Sequence, residues 1–85
     1  MNVYKYPFEV DDRVRIEFPI GYKILLVEHQ QRAGDCIWAL VDPKAERKTE
    51  LFIITGTGQP VPEHVNHIAS WQSGPFVWHM WRPEE

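Results

Sequence analysis

Two stretches hold most of the residues able to do chemistry or to bind. One is Gly56-Thr57-Gly58-Gln59-Pro60-Val61-Pro62, and the other is the closing run from Trp71 to Trp81. Two glycines around a threonine invite comparison with phosphate-binding loops. A P-loop needs G-x-x-x-x-G-K-[ST] opening a helix, whereas here no lysine follows and Pro60 and Pro62 oppose helix. A dinucleotide fingerprint needs a third glycine and a βαβ unit, and this segment supplies neither. The simplest reading is a sharp turn with a glycine at positive φ. The N–H groups of Gly56, Thr57 and Gly58 in such a turn can cradle an anion as a nest.

The closing run contains Trp71, Trp78 and Trp81, three of the four tryptophans, with His79 between two of them. Tryptophan is enriched where binding energy concentrates, so Trp71, His79 and Trp81 are candidate contact residues, together with Gly56, Thr57 and Gly58. The competing role for Trp81 is to close the end of the fold, with its N–H on a backbone carbonyl. His64 and His67 have an H-x-x-H spacing that zinc sites use, but such sites need further ligands. Cys36 lacks a neighbouring base or electropositive setting and reads as a buried free thiol. The twelve carboxylates are scattered and mostly flank turns, so no catalytic pair stands out. No cofactor, metal or catalytic residue is expected.

These residues must be carried by one domain, residues 1–85. A chain this short buries only about 60–65% of its unfolded surface, so its core is thin. A composition 13% aromatic and 44% hydrophobic supplies that core with large side chains and argues against disorder. A single cysteine rules out an intrachain disulfide. No apolar run reaches the ~20 residues of a membrane span. MNVYKYPFEV lacks the basic-then-apolar pattern of a secretory signal, and the expected location is the cytoplasm. Net charge −3 with interspersed signs argues against a nucleic-acid backbone binder.

Breakers recur every 8–15 residues, the rhythm of a β-sandwich or barrel. Residues 3–9 place Tyr4, Tyr6 and Phe8 on one face, and Pro7 makes this an edge strand. Residues 13–18 alternate, with Val14, Ile16 and Phe18 inward and Arg13, Arg15 and Glu17 outward. The apolar runs 23–29, 36–41 and 50–54 read as central strands covered on both faces. Residues 63–71 read as a strand with Val65, His67, Ala69 and Trp71 on one face, with a short helix near 63–70 as the rival. In 76–81, Phe76, Trp78 and Met80 are expected in the core, and His79 and Trp81 on an exposed or interfacial face. The expected fold is mainly β, a small antiparallel sandwich or partly open barrel of about six strands.

KYPFEV, PIGYKILLVEHQ, WALVDP, IITGTGQPVPE and SGPFVWHMW occur in this order over almost the whole chain. This pattern resembles a family of small uncharacterised proteins carried by bacteriophages and by bacteria with prophages. Gly56-Thr57-Gly58 with Pro60, and Phe76-Val77-Trp78-His79, are its most distinctive marks. The resemblance implies a phage setting, where small non-structural proteins often inhibit host or defence proteins, and it carries no site residues.

The expected function is therefore that of a non-enzymatic accessory protein that binds a bacterial host or defence protein. The alternatives are an oligomer that sequesters a nucleotide-derived signal, with Arg13, Arg15 or Arg82 on its phosphates, and a minor virion or assembly protein. Open strand edges and leftover aromatic surface favour homo-oligomers. On this reading Trp81→Ala weakens partner binding and leaves the fold intact. Loss of the folded circular-dichroism spectrum would instead place Trp81 in the core.

Overall fold

The computed structural model describes residues 1–85. Seven strands follow one another with no helix: β1 (Asn2–Phe8), β2 (Arg13–Pro19), β3 (Lys23–Gln30), β4 (Gly34–Val41), β5 (Arg47–Gly56), β6 (Val65–Ser73) and β7 (Phe76–Pro83). They form two antiparallel sheets, ordered β1-β4-β3 and β2-β5-β7-β6. The result is a sandwich-like body of seven strands and not a closed barrel, and residues 63–71 contribute a strand and no helix.

The body measures 39 × 33 × 16 Å. Its thin dimension admits two sheets packed about 10 Å apart and no third layer. Only one face of each strand therefore meets the core. The larger sheet contributes Val14, Ile16, Phe18, Phe52, Ile54, Trp71 and Met80, and the smaller contributes Val27, Ile37, Ala39 and Val41. β2 follows its alternation, with Val14, Ile16 and Phe18 buried and Arg13, Arg15 and Glu17 exposed. Phe18 anchors one end, stacked on Tyr22 at 4.3 Å and set edge-on to Phe52 at 6.1 Å. At the other end the Trp71 indole donates to Asp35 Oδ1 at 2.9 Å, tying β6 to β4 across the sandwich.

The thinness corrects two expectations. β3 is an edge strand and not a central one, and Leu25 and Leu26 are half exposed. A bulge between Ile24 and Leu26 sets Leu25 aside, so the apolar run KILLV cannot be covered on both faces. Phe76, at the start of β7, is 57% exposed although Met80 of the same face is fully buried. Trp78 is half-buried and stacks on Phe76 at 5.4 Å.

Every sheet edge carries a device that discourages strand addition. Pro7 lies in β1, bulges interrupt β3 and β6, and β2 presents Arg13, Arg15 and Glu17 and ends in Pro19.

Tyr22 closes the core over Phe18 with its hydroxyl buried and without a hydrogen-bond partner. Burial raises its pKa above the usual tyrosine value, partly opposed by the Arg82 guanidinium over its ring. The folded state thus holds this proton more tightly than the unfolded chain does. Stability from Tyr22 is present below a pH of about 10 and is lost as pH rises beyond it. Tyr22→Phe removes an unsatisfied hydroxyl, so it should leave stability at pH 7 unchanged or raised and blunt the alkaline loss. Urea melts of both proteins at pH 7 and 10.5 test this, and a destabilised Tyr22→Phe at pH 7 would contradict it.

Candidate functional site

β5 and β6 both pair antiparallel with β7, so they run parallel to each other with β7 between them. The connection, residues 57–64, must therefore travel back along β7. It does so over the outer face of the larger sheet. Thr57 meets His79 there, and Gln59, Pro60 and Pro62 share a groove with the outward Arg13 and Arg15. The sheet's outer face is thus divided by the crossing loop into a row of hydroxyls and imidazoles on one side and a groove on the other.

The row is built by strand register. Thr55 is opposite His79, which is opposite Ser70, and Ile53 is opposite Trp81, which is opposite His67. A bulge between His67 and Ala69 puts His67 and Ser70 on the same face, although they are three residues apart. The hydrogen bonds then run in series. His79 Nε2 lies 2.9 Å from Thr57 Oγ1, His79 Nδ1 lies 2.7 Å from Ser70 Oγ, and Ser70 Oγ lies 2.8 Å from His67 Nε2. Thr57 donates to the Val77 carbonyl at 3.3 Å. With both imidazoles neutral, one set of proton positions satisfies every contact. His67 Nε2–H donates to Ser70, Ser70 donates to His79 Nδ1, and His79 Nε2–H donates to Thr57. The serine, both rings and the threonine are locked by one another.

Trp81 lies beside this row, half-buried. Its indole N–H donates to Thr55 Oγ1 at 3.0 Å, and its ring meets His67 edge-on at 5.1 Å. The expected partner for that N–H was a backbone carbonyl, and the actual one is a threonine hydroxyl. Trp71 is corrected more strongly. It is only 4% exposed and faces the core, because the bulge shifts β6 by one residue and reverses the face expected from simple alternation. Trp71 is therefore a core residue and not a surface contact.

The Gly56–Gln59 segment is the expected sharp turn, with Gly58 at φ 89°. Gln59 N donates to Gly56 O at 3.1 Å, and Gly56 N donates to the Gln59 side-chain carbonyl at 2.6 Å. A Cβ on Gly56 would sit 3.3 Å from both Gln59 Oε1 and the Trp78 ring. The turn thus satisfies the Gly56 N–H internally, and that group does not join an anion nest. His64 and His67 separate, since His64 pairs with Glu63 and Glu84 while His67 joins the serine row. No three His, Cys, Asp or Glu side chains gather as a metal-ligating group. Cys36 is fully buried, as a structural thiol is.

Sequence reasoning missed Ser70, weighed His67 only as a possible zinc ligand, and included Gln59 only as part of the Gly56–Pro60 turn. The signal was faint. Ser70 and His67 come together only through the bulge, and nothing in HVNHIASW marks where a bulge falls.

Fold and site together define a seven-stranded antiparallel sandwich with a loop-crossed, side-chain-locked outer face and no helix long and apolar enough to cross a membrane. The chain belongs to a family defined by a domain of unknown function (DUF7352), which matches residues 1–85. No curated protein and no solved structure matches the chain.

The half-burial of Trp81 adds a stability cost to its replacement. Full removal of a buried tryptophan costs about 3–5 kcal/mol, so Trp81→Ala should cost about 2 kcal/mol. Ser70→Ala should cost less than about 1 kcal/mol, because water can reach the imidazoles it leaves. Chemical denaturation separates the two, and equal stability of Trp81→Ala and wild type would refute the assignment.

Proposed function

We propose that this protein is a non-enzymatic accessory protein of bacteriophage or prophage origin that acts by binding a bacterial host or defence protein. The contact surface is the outer face of the four-stranded sheet, on the side of the crossing loop that holds His67, Ser70 and His79. The observation that carries this reading is the closed row Thr57–His79–Ser70–His67. Ordering side chains at an interface costs about 0.5–1.5 kcal/mol each. Here the protein's own hydrogen bonds have already met that cost on an accessible face. Half-buried Trp81 and exposed Val77 add apolar area beside the polar row, the mixture that binding surfaces use. A catalytic reading is disfavoured because the Ser70 oxygen, held between two rings, already gives one proton and receives another.

A tagged wild-type chain expressed in a bacterial host should retain a stoichiometric bacterial protein. His79→Glu and Ser70→Arg should lose it while melting near the wild-type temperature. Wild type retaining nothing beyond the tag control, or both variants retaining the same protein, would end this reading.

A further inference from the structure

The other side of the crossing loop has no part in that row. There an open groove of about 740 Å³ lies between β2 and the loop, within the size range of small-molecule sites. We propose that this groove binds a small phosphate ester whose body carries hydroxyl groups, such as a sugar phosphate or a nucleotide.

Four donors line the groove. Arg13 and Arg15 project from the same face of β2, about 7 Å apart by strand geometry. Neither has a carboxylate partner, whereas Arg82 is held by Glu50 at 3.2 Å and Glu85 at 3.0 Å. Arg82, expected as a phosphate ligand, is thus already committed. Gln59 lines the groove with its carbonyl oxygen bound to Gly56 N, which leaves its NH₂ group to donate. Thr55 is the most telling member. It is only 6% exposed and lines the groove. Its oxygen accepts the Trp81 indole N–H at 3.0 Å, which leaves its hydroxyl proton to donate into the groove.

Two guanidinia, an amide NH₂ and a hydroxyl proton together match the oxygens of a phosphate group, which arginine engages bidentately. Asp11 and Asp12 also line the groove. They would repel a bare anion but accept hydrogen bonds from hydroxyls next to one. That combination selects an ester of a polyol over inorganic phosphate.

The site is independent of the protein-binding face and stands even if no protein partner exists. The test is calorimetric titration at low salt with ribose 5-phosphate, adenosine 5′-monophosphate, adenosine and inorganic phosphate, backed by amide chemical shifts. We expect saturable binding of both esters, shifts at Thr55 and Gln59, and at least tenfold weaker binding of inorganic phosphate and adenosine. Preference for the monophosphate over ribose 5-phosphate would identify a nucleotide site, and parity a sugar-phosphate site. Arg13→Gln and Arg15→Gln sit on an exposed edge, so both should fold normally and each weaken binding about tenfold. No saturable ester binding, adenosine or inorganic phosphate binding as well as the esters, or affinity unchanged in both arginine variants would overturn the proposal.

Discussion

One extra residue in β6 governs both faces of the larger sheet. Strict alternation would put His67 and Trp71 on the same side and Ser70 on the other. The bulge between His67 and Ala69 breaks that parity. Trp71 then turns inward, meets Phe8 edge-on at 5.8 Å and bonds Asp35 across the sandwich. His67 stays outward, where Ser70 and Trp81 meet it. Core closure at one end and the polar row on the surface are two consequences of a single register shift. Moving pairing by one residue exchanges the faces of every side chain beyond it.

The second constraint is thickness. With only two layers, each sheet has a bare side, and the chain must do something with its outward residues. On the smaller sheet Lys5 reaches across to Gln30 at 3.0 Å. Cys36, whose strand neighbours are Pro7 and Glu28, is fully buried on the face opposite Ile37. On the larger sheet the parallel relation of β5 and β6 forces residues 57–64 to cross the outer face. Gln59, Pro60 and Pro62 of that loop line a groove together with Thr55, Arg13 and Arg15. A direct hairpin between β5 and β6 would leave the same face flat. The groove is thus a product of topology more than of any motif.

The glycines flanking Thr57 also find their explanation here. Gly58 supplies the left-handed turn that starts the crossing, and Gly56 leaves room for Gln59 and Trp78 to close around it. Their distinctive spacing is a backbone requirement that aims Thr57 at His79 and Gln59 at the groove.

Much of this was written in the linear chain. Breaker spacing, the alternation of Val14, Ile16 and Phe18, and Pro7 at an edge follow from local sterics and from period-two burial, which act within a few residues. They determined an all-β, two-faced domain and a turn at Gly56–Gln59. Other features depended on which strand became whose neighbour. The apolar run of β3 was compatible with a central or an edge strand, and only the folded arrangement leaves Phe76 exposed while Met80 is buried. The inward turn of Trp71, the joining of His67, Ser70, His79 and Thr57, and the isolation of Arg13 and Arg15 from the acids that hold Arg82 were decided only by tertiary structure. The physical reason is that a bulge, a strand order and a crossing loop are set by the competition among whole-sheet packings, and no local run of residues encodes the outcome.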